Sequence, residues 1–270
     1  MFGGTVGLGS DWNTEPTDRI LDALETLNQL PTGESLIQHA YESWKLTRLD
    51  GLRLHFKEGQ ASRTDTVLTR HFDTATGQEE RDREITIYLR EDQPKAQLIL
   101  DMAHELVHAT SRPGFDPYDP LLTPGKYIYA AIEGPGGEVE AVYAECQVSK
   151  EIQIQFGIPS DRCQNYSSRT FGSKEPGSIE KEKIKAAFYA VGKWQPDLLH
   201  ELGPEQKLFP LLSELPPILY SSTGHSPYPA ALLKEYEELT DAACENSRKR
   251  LEETSSSQEH VLIEKRCTKN

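Results

Sequence analysis

Residues Glu84–Ser111 read EITIYLREDQPKAQLILDMAHELVHATS, and the two halves of the stretch follow different periods. In the first half Ile85, Ile87 and Leu89 alternate with polar neighbours, the period of a strand with one buried face. In the second, Asp92 or Gln93 offers an N-cap and Pro94 a first-turn proline, and apolar residues then recur at helical spacing up to a break at Arg112-Pro113-Gly114. The spacing predicts a strand running directly into a helix, and that helix carries His104-Glu105-Leu106-Val107-His108.

Upstream, Ile20, Leu21, Leu24 and Leu27, then Leu36, Ile37, Tyr41 and Trp44, repeat at helical spacing, which predicts a pair of helices broken at PTGES (31–35). LRLHFK (52–57) alternates, placing Leu52, Leu54 and Phe56 on one face of a strand and His55 on the solvent side. TVLTRHF (66–72) reads as a further strand, joined to the Ile85 strand by a hairpin loop, DTATGQEERDR (73–83). Downstream, Phe115–Gly137 is rich in Pro and Gly and reads as an ordered surface loop. Helical periodicity resumes in VEAVYAECQVSKEIQIQ (139–155), where Val139, Val142, Tyr143, Cys146 and Ile152 form the apolar stripe. Two more helices are expected, one ending near Trp194 and one over 230–253, with a polar tail from Ser255.

With 270 residues, 36% hydrophobic and 27% charged, the chain has the composition of a soluble globular protein, and it holds no apolar run long enough to span a bilayer. A net charge of −14 repels a phosphate backbone, so nucleic acid is excluded as the expected partner. The first residues, MFGGTVGLGSDWN, lack a basic segment followed by an apolar one, so the protein is expected either to stay inside the cell or to have lost a leader. Cys146, Cys163, Cys244 and Cys267 fit two disulfides or four reduced thiols, and without CxxC spacing they do not form a zinc cluster.

On a helix, residues i and i+4 lie one above the other, so His104 and His108 can present ring nitrogens to one point about 2 Å from each, where a zinc ion fits. Glu105 points about 100° round the helix from His104, within reach of an attacking water but not of the same coordination position. Zinc lowers the pKa of water from about 15.7 towards ~7, and a neighbouring carboxylate takes the proton and returns it to the leaving amine. The competing reading is an amphipathic core helix that happens to carry two histidines. Against it, the histidines and Glu105 cluster on the face left by Leu98, Met102, Leu106 and Val107.

A catalytic zinc needs a third protein ligand. Here the motif and GGEVEAVYAEC (136–146) resemble the gluzincin zinc metallopeptidases, in which a glutamate from a second helix completes the site. The resemblance covers about residues 84–155. In it Glu138, followed by Ala141 and Ala144, matches the E-x-x-A helix of compact gluzincins, with small residues that allow close helix approach and with Gly136 and Gly137 permitting a tight turn before it. Glu138 is the expected third ligand and Glu140 the alternative; Glu145 lies two turns along on roughly the face of Glu138. Val142 stands where thermolysin-like enzymes carry Asp, and the third histidine of the metzincins is absent. The resemblance implies an α+β, zincin-like fold. It has a small mixed or antiparallel sheet, an N-terminal α/β lobe over about 15–115, a mostly helical lobe over about 116–254 and the tail 255–270, all within one catalytic domain.

An oxyanion donor is expected beside the metal, with Tyr127, Tyr129 and Tyr143 as candidates and with His225 in STGHSPYP, which resembles a T-H-P-P segment of membrane-associated gluzincins. Asp101, on the face of His104, or a backbone carbonyl, is expected to hold an imidazole from behind. His200 reads as a residue at a helix end. The expected activity is zinc-dependent hydrolysis of peptide bonds in a protein or peptide substrate, with Glu105 as general base. The alternatives are a non-catalytic zinc-binding or interaction domain and a highly specific exported effector protease.

Overall fold

The computed structural model describes residues 18–73, 78–119, 122–167, 177–189, 228–253 and 267. They form α1 (Arg19–Leu27), α2 (Pro31–Trp44), α3 (Leu49–Arg53), β1 (Phe56–Gly59), β2 (Arg63–Asp73), β3 (Gln78–Arg90), α4 (Lys95–Ser111), α5 (Pro124–Ile132), α6 (Glu138–Phe156), α7 (Lys181–Phe188) and α8 (Tyr228–Glu253). The fold is mixed α+β, with a three-stranded sheet in the order β1-β3-β2. β1 runs parallel to β3 and β2 antiparallel to it, in a ladder from Arg63 opposite Tyr88 to Asp73 opposite Gln78.

Two compact units separate, one drawn from Met1–Arg112 and Pro135–Ile184, the other from Pro113–Gly134 and Lys185–Asn270. In the first unit α4 is the axis. Its residues Leu98, Ile99, Leu100, Met102, Ala103 and Leu106 are buried among α1, α2, α6 and the sheet face of Ile87 and Leu89. A helix buried on so many sides loses water from nearly every side chain, which is why the polar residues it retains need partners of their own.

α1 starts at Asp18, whose carboxylate accepts from the amides of Ile20 and Leu21 and pairs with Arg53 Nε at 2.8 Å. PTGES is not the break between the first two helices: Pro31 is the first residue of α2, and the chain turns at Asn28–Leu30 instead. A proline at that position loses nothing, because its amide has no intrahelical acceptor. The first turn of α2 is capped from α6, where the Glu151 carboxylate accepts from Thr32 N and Oγ1.

Three other expectations change. Leu52 lies in the short helix α3 and Leu54 is 80% exposed, so the alternation of LRLHFK does not mark a strand before Phe56; His55 stacks on Trp44 with centroids 4.2 Å apart. The charged run Gln78–Arg83 belongs to β3 rather than to a loop, because backbone pairing with β2 supplies what side-chain pattern does not. Pro124 opens α5 inside the expected 115–137 loop, with Thr123 Oγ1 capping Lys126 N at 3.2 Å. α4 begins slightly later than expected: Pro94 is its N-cap rather than a first-turn residue, so neither Asp92 nor Gln93 caps it, and Gln93 is buried with its side-chain amide unpaired.

In the second unit α5 packs on α8: Tyr127 lies between Phe115 and Tyr236, and Tyr236 donates to Leu122 O at 3.1 Å. Glu133 accepts from Tyr189 at 2.8 Å and pairs with Lys185. The four cysteines form Cys146–Cys163 and Cys244–Cys267, which joins α8 to the C-terminal tail. Among the described residues no helix is long and apolar enough to cross a membrane.

Candidate metal centre

The centre lies wholly in the first unit, between α4 and α6. Helical spacing brings His104 and His108 onto one face of α4, with their Nε2 atoms 3.0 Å apart. Glu138, the first residue of α6, faces both: its two oxygens lie 3.3 Å from His104 Nε2 and 3.4 Å from His108 Nε2. Ala141 and Ala144, both buried, line the α6 face that meets α4 at Val107, and small side chains there let the helices approach closely.

Each imidazole is oriented from behind. His108 Nδ1 lies 2.7 Å from the carbonyl of Gly136, and His104 Nδ1 lies 3.1 Å from Glu145 Oε2. A carbonyl and a carboxylate only accept, so both Nδ1 atoms carry the proton and both Nε2 lone pairs face Glu138. Arg112 Nη2 lies 3.2 Å from His108 Nδ1, but the shorter contact to the carbonyl sets the tautomer, and the guanidinium serves Gly136 O through Nε and approaches Glu138 at 3.7 Å. Two lone pairs and a carboxylate converging in a buried place demand a cation, either a proton on a ring or a metal ion before all three.

The charges respond in that sense. Burial would lower the pKa of His104, but hydrogen bonds to Glu138 and Glu145 and the field of Glu138 and Glu105 outweigh it and raise it well above its ordinary value. Burial would raise Glu138, yet the two histidines hold it well below the usual carboxylate range. The residues also fit a metal in size. In a tetrahedral zinc site with bonds of about 2.0–2.1 Å, neighbouring ligand atoms lie roughly 3.3–3.4 Å apart. The two Nε2 atoms lie 3.0 Å apart, and each has one of the two Glu138 oxygens within 3.4 Å; His104, His108 and Glu138 form a group that could hold a metal ion, with one ligand atom from each within 4.8 Å of the others.

Glu105 is 6% exposed and points to the sheet side, where Thr64 Oγ1 on β2 donates to its Oε2 at 2.8 Å. Burial raises its pKa, against the nearby histidines and the Thr64 hydrogen bond, which lower it.

The other candidates are placed differently. Glu140 does not face the histidines; its carboxylate accepts from Gly136 N at 2.9 Å and fixes the turn before α6. Asp101 touches neither imidazole; it accepts from Arg162 Nη1 at 2.7 Å and from Ser62 Oγ at 2.5 Å. The place behind His104 is taken by Glu145, and a backbone carbonyl, that of Gly136, holds the other imidazole, His108. Tyr143 lies five residues beyond Glu138, about 140° round the helix, with Lys181 Nζ 4.8 Å above its ring, so it is not brought to the histidines. Tyr127 and Tyr129 belong to the second unit, and His200 and His225 lie outside the described residues. Thr64, Arg112 and Arg162 gave no sequence signal, because each reaches the centre only through the tertiary fold. Comparison with known protein families, curated proteins and solved structures finds no match to this chain.

Proposed function

We propose that the chain is a zinc-dependent peptidase of the gluzincin kind, in which His104, His108 and Glu138 hold the metal and Glu105 is the general base. The observation that carries this reading is the convergence of two imidazole Nε2 atoms and the Glu138 carboxylate on one buried place, with a buried, oriented carboxylate one residue from His104. A zinc ion there would acidify water and polarise a scissile carbonyl. The side chains of the protein do the rest. Glu105, held by Thr64, accepts the proton of the attacking water and passes it to the leaving amine. Burial keeps its basicity above that of an exposed glutamate, which suits that proton transfer. Gly136 O and Glu145 fix the two rings so that no reorganisation is needed when charge develops. β2 is an edge strand of the sheet and carries Thr64 against Glu105, so an extended peptide pairing along that edge would bring its backbone to the base.

The test is Glu105→Gln in the full chain. Zinc content should stay at that of wild type while peptide hydrolysis falls by about 10²–10⁴-fold, the contribution of a positioned proton-transfer group. Hydrolysis that survives unchanged would reject Glu105 as base.

A further inference from the structure

This inference rests on the metal-centre reading above. The ring of His104 owes its orientation to Glu145, which is 3% exposed and therefore needs a cation of its own. Arg162 supplies it: Nε lies 2.5 Å from Glu145 Oε1. The same guanidinium reaches back to α4 through Nη1, which donates to Asp101 Oδ1 at 2.7 Å and to Gln97 Oε1 at 3.0 Å. Asp101 stands three residues before His104, and its other oxygen accepts from Ser62 just before β2. Arg162 thus bridges α6 and α4 behind the face that presents the ligands. Burial works against its charge, but Glu145 and Asp101 outweigh that and raise its pKa.

Arg162 does not come from a helix or strand. It sits in the segment after α6, and that segment is tied back to α6 by Cys146–Cys163. The tie is placed at the ion pair itself: Cys146 follows Glu145 and Cys163 follows Arg162 in the chain. We propose that Arg162 is a positioning residue for the metal centre, holding Glu145 against His104, and that the Cys146–Cys163 disulfide is the tether that keeps Arg162 in place.

Removing the guanidinium has two opposed effects on a bound dication. Deleting a nearby positive charge favours the metal, whereas releasing Glu145 unfixes the His104 ring, and loss of such a partner typically weakens metal affinity about 10–100-fold. The proposal requires the second to win, so the sign of the change is diagnostic. Zinc dissociation constants of the full chain, measured by competition with a chromogenic chelator, should rise about 10–100-fold in Arg162→Gln and in the double variant Cys146→Ala/Cys163→Ala. Arg162→Lys keeps the charge but not the two-sided fork, and should recover only part of the loss. The visible bands of the cobalt(II)-substituted protein, which report ligand geometry, should change in the same variants and stay unchanged in Cys244→Ala/Cys267→Ala. Zinc bound to Arg162→Gln as tightly as to wild type, or more tightly, would overturn the role of Arg162; complete recovery in Arg162→Lys would do the same. An unchanged constant in the Cys146/Cys163 variant would overturn the tether. Should that variant fail to fold, the zinc constant of the folded wild-type chain before and after reduction with a phosphine decides the tether: a rise supports it and an unchanged constant overturns it. A wild-type protein that takes up no zinc would remove the metal-centre reading itself, a result distinct from the others.

Discussion

Replacing Gly136 by Ala, compared with the same change at Gly157, separates backbone strain from the close approach of two helices. Both glycines have left-handed backbone, with φ of +67° and +70°. An L-residue pays about 1–2 kcal/mol for that conformation, and at Gly157, where nothing lies within 4 Å of an added Cβ, this is the whole cost. At Gly136 the Cβ would lie 2.2 Å from Arg112 N and 2.6 Å from Ser111 C, both backbone atoms of the α4 terminus. Bringing 2.2 Å to the 3.0 Å that real contacts respect requires a shift of at least 0.8 Å away from α4. That shift stretches the His108 Nδ1 to Gly136 O bond of 2.7 Å and the Gly136 N to Glu140 bond of 2.9 Å, each a contribution of roughly 1 kcal/mol. Gly136→Ala is therefore expected to destabilise by about 3–4 kcal/mol and Gly157→Ala by about 1–2 kcal/mol. Urea unfolding midpoints under chelation measure the difference, and chelator competition should show zinc affinity about 10–100-fold weaker for Gly136→Ala alone. Equal stability of the two variants, with equal zinc affinity, would refute the idea that Gly136 is a glycine because it touches α4.

Thr64→Val removes the hydroxyl that orients Glu105 and lowers its pKa, so the acid limb of kcat/KM against pH should move to higher pH while zinc stays bound; an unmoved limb would deny the contact a role. Glu138→Ala should abolish zinc retention, whereas Glu140→Ala, acting only through Gly136 N, should weaken it by a smaller factor, which elemental analysis after dialysis would separate. Asp18→Ala should cost about 1 kcal/mol near neutral pH as the cap of α1 is lost. Despite the opposing effect of burial, hydrogen bonds from Leu21, Arg53 and Ile20 hold the pKa of Asp18 below 3.8, so its contribution is present above that value and disappears as pH falls through the lower, folded one. Wild-type and variant stabilities should accordingly converge only at the acid end of a pH series of urea melts.

The candidate ligands were legible because a helix is rigid enough to make sequence spacing a distance: a step of four from His104 to His108 fixes their shared face, and two glycines before Glu138 mark the turn that starts α6. The strand before α4 was legible from its alternation, and its partner from the β-rich run Thr66–Phe72. What surrounds the ligands was not. Glu145 shows on a helical wheel only as a residue on the side of Glu138, and whether it binds metal or imidazole depends on depth in the interface. Asp101 has the spacing to serve His104 but is drawn away by Arg162, whose position follows from one of the three pairings that four cysteines allow. Thr64 meets Glu105 because β2 lies on the edge next to α4, a fact of strand order and not of local pattern. In LRLHFK alternation misled because α3 sets the direction of Leu52, and Trp44 takes the ring of His55.

X-ray absorption at the zinc edge of the zinc-loaded full chain tests the centre most directly. Two imidazoles and a carboxylate should give a nitrogen and oxygen shell at about 2.0–2.1 Å, with the outer scattering of two histidine rings that disappears in part on changing either His104 or His108. An oxygen-only shell lacking imidazole scattering, or one unaltered in those variants, would contradict it.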